Sequence, residues 1–112
     1  IADESCQRET DVATCSEIFH GINIKLMKCG GITPALRMIS NAKEKGLLIM
    51  AGCMTESTVG ISGLCQIAPL LTYLDADGAL LLKGDIASGV AFNFGQIVYS
   101  KDFGTGVKML QK

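Results

Sequence analysis

Gly21-Ile22-Asn23-Ile24-Lys25-Leu26-Met27-Lys28-Cys29-Gly30-Gly31 reads as a short strand ending in a lysine, then a glycine turn, then the start of a helix. Strand side chains alternate between faces, so Asn23 and Lys25 share one face and Ile22, Ile24 and Leu26 the other. A lysine at the carboxyl end of a strand that feeds a helix sits where α/β barrels keep their chemistry. Lysine is also a side chain that burial and nearby charge readily convert into a base.

The same alternation of strand and helix extends in both directions. Downstream, Thr33-Pro34 opens a helix in which Leu36, Ile39 and Ala42 recur at helical spacing, and Lys43, Lys45 and Gly46 close it. Leu47 to Ala51 is a continuous apolar strand, residues 52–57 a loop, residues 58–71 a helix ending near Pro69, and residues 73–77 a further strand. Upstream, Ile1 to Ser5 reads as the end of a strand, followed by a helix over residues 11–19. Strand ends near residues 3, 25, 51 and 75 have the spacing of successive β/α units of a parallel sheet. Four such units are about half of an eight-unit barrel, which takes about 250 residues. After Gly84 the pattern changes: Val90 to Tyr99 reads as a hairpin with Asn93-Phe94-Gly95 at its turn, and Phe103 to Val107 as loop.

Composition agrees with a buried sheet. The chain has 112 residues, 48% hydrophobic and 5% aromatic, with no tryptophan, which suits a sheet covered on both faces and rich in Ile, Leu, Val and Ala. A net charge of -1 makes no electrostatic case for nucleic acid or an acidic membrane. The uncharged run from Ser57 to Leu74 is too polar for a membrane helix. Five cysteines without a C-x-x-C pair read as free thiols in a reducing cytosol, not as a zinc site or a disulfide framework. The chain opens on Ile1 within a strand pattern, which reads as a piece of something longer with its amino-terminal part missing.

Several residues carry chemistry or a plainer alternative. Lys25 is either a surface lysine on an edge strand or a buried one that needs a reason, and its apolar neighbours favour the second. Asp3-Glu4 could offer a hard divalent cation an oxygen ligand, or could be a solvated loop capping the next helix. Asp75-Ala76-Asp77 puts two carboxylates on one face of a strand, where a metal or an ammonium group would relieve their repulsion; the alternative is an Asp-Ala-Asp-Gly turn. Gly30-Gly31 permits a tight turn or a plain connector. His20, the only histidine, lies on the amino-terminal rim and reads as a helix-end cation. No nucleotide-binding glycine motif occurs, and no serine triad can be built.

Four segments together resemble the enolase superfamily, and more narrowly its dipeptide epimerases of the L-Ala-D/L-Glu type. They are Ala2-Asp3-Glu4-Ser5, Ile22 to Gly31, Gly52-Cys53-Met54-Thr55-Glu56 and Asp75-Ala76-Asp77. Their order and spacing fit the fifth to eighth strands of that family's (β/α) barrel, and the resemblance runs from Ile1 to about Gly106. It implies the C-terminal half of the barrel over residues 1–84 and a hairpin and tail of the capping region over residues 85–112.

The resemblance further implies a magnesium-dependent isomerase. Asp3 would be the last of three carboxylate ligands to Mg²⁺. Lys25 would be one of two lysines flanking the α-carbon of the dipeptide's second residue, in a reaction through an enolate. Asp75 and Asp77 would hold the substrate's α-ammonium group, and Cys53, Met54 and Thr55 would line its pocket. The opposing lysine and the first two metal ligands would lie upstream of Ile1, so the chain alone should not catalyse. Lys28, three residues after Lys25, is expected to point away from that face. The rival readings are a muconate cycloisomerase or o-succinylbenzoate synthase-like enzyme, and a non-catalytic α/β fragment. The expected setting is cytoplasmic, with a small-molecule dipeptide as ligand; self-association into a homo-oligomer is left open.

Overall fold

A computed structural model describes residues 1–111. Strand β1 (Gly21–Lys25) is its centre. It pairs in parallel with β2 (Leu48–Gly52), Lys25 opposite Gly52, and β2 pairs in parallel with β3 (Tyr73–Leu74). On the other side Ala2 bridges Ile22 in parallel, its N–H bonded to the Gly21 carbonyl and its carbonyl to the Asn23 N–H. Four parallel strand positions therefore stand side by side, and all their carboxyl ends lie along one edge. Ile22 and Ile24 are fully buried under the helices, and burying each contributes roughly 1.5–3 kcal/mol. Asn23 occupies the opposite face of the strand, as the alternation requires.

The connecting helices are shorter or shifted relative to expectation. Helix α1 (Asp11–Ser16) stops before Ile18, which is 69% exposed. The exposed His20 consequently lies beyond the helix end, at the amino end of β1. Between β1 and the next long helix lies an unexpected turn of helix, α2 (Leu26–Cys29). Helix α3 (Ile32–Glu44) begins before Thr33, on Gly31 with φ 117°, so threonine is not its cap. Pro34 falls at the third helical position, where a missing N–H still costs no intrahelical bond. The buried face of α3 is Ala35, Met38, Ile39 and Ala42, while Leu36 is exposed. The helix expected over residues 58–71 divides into α4 (Thr58–Cys65) and a 3₁₀ turn (Ala68–Leu70) containing Pro69, because Pro69 has no N–H to bond the Cys65 carbonyl. No helix among the described residues is long and apolar enough to cross a membrane.

Beyond Gly84 the chain docks on α4 through polar groups. The Thr58 N–H and hydroxyl both donate to Asp85 Oδ2, at 2.8 and 2.6 Å, so a distant carboxylate caps the helix. The buried Ser62 hydroxyl oxygen accepts the Val90 N–H at 3.1 Å, and the Tyr99 hydroxyl donates to the Cys65 carbonyl at 2.8 Å. The expected hairpin forms from β5 (Ala91–Asn93) and β6 (Gln96–Val98), and Phe94 and Gly95 take positive φ at its two-residue turn. A short antiparallel pair, β4 (Ala87–Ser88) with β7 (Lys108–Met109), has no counterpart in the sequence pattern.

The close approach of β1 to β2 leaves no room at Gly21, where a Cβ would stand 2.6 Å from the Leu48 carbonyl oxygen. At Gly84 a Cβ would meet nothing within 4 Å. Gly21→Ala in the full-length protein should therefore lose about 1–3 kcal/mol of stability, and Gly84→Ala should change little. Urea unfolding of both variants checks the contrast.

Candidate functional site

The carboxyl edge of the sheet gathers one carboxylate and three donors. Asp3 follows the bridging Ala2 and so faces the side chains of β1. Lys25 Nζ donates to Asp3 Oδ2 at 2.8 Å, and Asn23 Nδ2 donates to the same oxygen at 3.2 Å. Lys28 Nζ reaches Asp3 Oδ1 at 3.2 Å. The side chains are mostly sheltered, 15% exposed for Lys25, 22% for Lys28 and 31% for Asp3. Asn23 Oδ1 is buried and accepts no hydrogen bond from any described residue.

Lys28 corrects the expectation that it would point away. A strand continuing past Lys25 would carry residue 28 to the opposite face, but the backbone coils immediately after Lys25. Lys25 itself is still extended (φ -117°, ψ 120°), and one helical turn follows. Gly30 ends it at φ 99°, and the N–H groups of Gly30 and Gly31 both bond to the Leu26 carbonyl. That turn swings Lys28 back over the strand end. A glycine at the residue after a helix is a stop signal, so the double glycine was the trace of this turn in the sequence.

Charge pairing sets the protonation of the group. Partial burial pushes the Asp3 carboxyl up, but hydrogen bonds and charge from Lys25 and Lys28 outweigh it and hold the carboxyl below its ordinary range. The hydrogen bond to Asp3 raises Lys25 above its ordinary value against the effect of burial, and the charges of Asp3, Glu4 and Asp75 add to it.

A second cluster lies where β2 and β3 end. Cys53, Asp75 and Asp77 each present a ligand atom, all within 4.8 Å of one another. The strand expected over residues 73–77 ends at Leu74, so the two carboxylates do not share a strand face. The Asp75 N–H makes one last ladder bond to the Ala51 carbonyl, and Asp77 opens a 3₁₀ turn (Gly78–Leu81), its carbonyl accepting the Leu80 N–H. This is the turn alternative, and it still brings the carboxylates together. The Gly78 N–H donates to Cys53 Sγ at 3.3 Å, and the space of a Gly78 Cβ is taken by the Met54 carbonyl oxygen. Burial is the main cause that raises the Cys53 thiol, with Asp75 and Asp77 adding to it against the Gly78 N–H. Met54 and Thr55 are exposed on the rim, and the Met54 N–H is held by Glu56 Oε1 at 3.0 Å. A cavity of about 480 Å³ opens beside the pair, lined by Leu74, Asp75, Asp77, Leu80, Phe92 and Ile97 among others.

This fold has close counterparts. No family model matches the chain. It is 59% identical over 110 residues to an L-Ala-D/L-amino acid epimerase of Flavobacterium johnsoniae, covering 98% of this chain and 33% of that protein. It is 44% identical over 107 residues to the L-Ala-D/L-Glu epimerase of Bacteroides thetaiotaomicron, covering 96% and 28%. Among solved structures, a dipeptide epimerase of Methylococcus capsulatus complexed with Mg and the dipeptide L-Arg-D-Lys superimposes with a TM-score of 0.88 at 35% identity, over 95% of this chain and 32% of that one. The four strand positions are thus β/α units of an enolase-superfamily barrel. The chain belongs to the dipeptide epimerase family of that superfamily, and it spans about a third of the length of the relatives it matches.

The ion pair has a defined pH window. The lowered Asp3 value means its contribution is complete above about pH 4, the ordinary carboxylate range, and is lost as pH falls through the folded-state value. The raised Lys25 value means its contribution is complete below about pH 10 and is lost as pH rises further. The stability difference between the full-length protein and its Lys25→Met variant should form a plateau between those limits and shrink on the acid side. Thermal melts from pH 3 to pH 8 check this.

Proposed function

We propose that the chain is the C-terminal barrel portion, over residues 1–84, of a magnesium-dependent dipeptide epimerase. Residues 85–112 would be the part that joins the capping region; Lys112 lies outside the described residues. The observation that carries the reading is the Asp3 carboxylate at 2.8 Å from Lys25 Nζ on the carboxyl edge, with the Asp75/Asp77 pair on the same edge.

The donor set fits a hard cation. Asp3 offers a carboxylate oxygen, and Mg²⁺ is commonly held by one or two carboxylates together with waters. The buried, unsatisfied Asn23 Oδ1 beside it marks a place built to receive a further donor or cation. Asp3 would hold Mg²⁺ with ligands from outside this chain. When bound, the ion would stabilise negative charge building on the substrate carboxylate as the α-proton leaves.

Each remaining role falls to residues of this chain. Lys25 stands at one face of the α-carbon, where it would take a proton from one stereoisomer and deliver one to form it. A second lysine, outside this chain, would serve the other face, so that removal and return from opposite sides invert the centre. Asp75 and Asp77 hold the dipeptide's α-ammonium, and Cys53, Met54 and Thr55 shape the rim. Free thiols in the core fit a cytoplasmic setting.

In D₂O, the full-length protein should exchange the α-hydrogen of the second residue of at least one L,L-dipeptide in a broad panel, followed by proton NMR. No exchange in any of them would sink the reading. Lys25→Ala should slow exchange from one stereoisomer by about 10²-fold or more relative to the other.

Asp75→Asn combined with Asp77→Asn should raise KM for free dipeptides and leave N-acetylated ones nearly unaffected. An unchanged KM would instead favour a cycloisomerase or o-succinylbenzoate synthase-like enzyme, which needs no ammonium clamp.

A further inference from the structure

The double glycine and the single helical turn before it form a device whose product is the position of Lys28. Lysine at an exposed site normally extends into water, since ordering its long side chain costs entropy. Here the turn over residues 26–29 returns Lys28 Nζ to 3.2 Å from Asp3 Oδ1, with the side chain only 22% exposed. The two oxygens of Asp3 are thereby treated differently. Oδ2 receives Lys25 and Asn23, whereas Oδ1 receives Lys28 alone. Lys25 is the residue that must be free to serve the substrate, so it cannot also be the permanent support of the carboxylate. Asn23 and Lys28 have no competing task.

We infer that Lys28 is a positioning residue for the divalent cation: by holding Asp3 Oδ1 it fixes the orientation of the carboxylate that would bind the ion. This rests on the reading of Asp3 as a metal ligand. Carboxylate ligands are commonly held by hydrogen bonds from outside the metal's own ligand set, and removing such a partner typically costs about 10- to 100-fold in metal affinity or activity. Simple repulsion between the ammonium and a divalent cation predicts the opposite sign, since removing Lys28 would then tighten binding.

Mn²⁺ binding to the full-length protein, measured by electron paramagnetic resonance without substrate, separates these outcomes. Lys28→Met and Lys28→Gln should each weaken Mn²⁺ binding at least 10-fold in metal-free protein that is still folded by circular dichroism at the assay temperature, and Lys28→Arg should restore it to within about 3-fold. Equal or tighter binding by Lys28→Met and Lys28→Gln, or an arginine that restores nothing, overturns the positioning role. Asp3→Ala is measured alongside. If it binds Mn²⁺ as the parent does, the metal-ligand reading itself fails, and the Lys28 inference falls with it for that separate reason.

Discussion

Parallel pairing in one register is the constraint on which the rest of this chain depends. Ala2 beside Ile22, Lys25 opposite Gly52 and Ala51 opposite Leu74 leave no choice about where the chemistry gathers. Each strand hands over at the same edge, so Asp3, Lys25, Cys53 and Asp75 emerge as neighbours although up to 72 residues apart in sequence. A one-residue slip of β1 would invert its faces. Ile22 and Ile24 would lose their burial, and Asn23 and Lys25 would be driven into the layer beneath the helices. The apolar side of the strand thus holds the polar side in place.

The edge is also electrically uneven. Around Asp3, two ammonium groups meet one carboxylate, and the charges of Glu4 and Asp75 also act on Lys25. Around Cys53, two carboxylates share a small volume with a thiol that burial keeps protonated at neutral pH, which leaves an excess of negative charge. The two aspartates so close together are eased by a cation or an ammonium group. In the proposed reading, an ammonium meets the aspartates and a carboxylate meets a metal ion held by Asp3. A free dipeptide carries both groups, which is the physical basis on which the proposed substrate class fits this surface.

Much of this was legible in the sequence because strands and helices leave periodic traces. Ile22, Ile24 and Lys25 alternate, and the strand ends at residues 3, 25 and 51 follow from the apolar runs. What escaped reading is shorter than a period. Leu26 to Cys29 is a single helical turn, too brief for any spacing to register, and its only signature was Gly30-Gly31, which a plain connector would share. The pair β4–β7 is two residues on each side and contains no alternation at all. Leu36 matches the helical spacing yet is exposed, because it lies at the edge of the stripe made by Ala35, Met38, Ile39 and Ala42. Of the two readings of the aspartate pair, the Asp-Ala-Asp-Gly turn is the one the structure adopts, because the strand ends at Leu74.

That last difference bears on what the pair can hold. On a strand, Asp75 and Asp77 would be fixed by the ladder about two residues' rise apart, and their distance could not adjust. In the structure only Asp75 keeps a ladder bond, while Asp77 begins a turn packed against the Met54 carbonyl and the Cys53 thiol through Gly78. One carboxylate is therefore anchored to the barrel sheet and the other to the loop that carries Cys53, Met54 and Thr55. A cation bridging the two would tie that loop to the sheet. The loop after β2 and the turn after β3 then act as one unit, and a change in either would be felt at the aspartate pair even where it touches neither carboxylate.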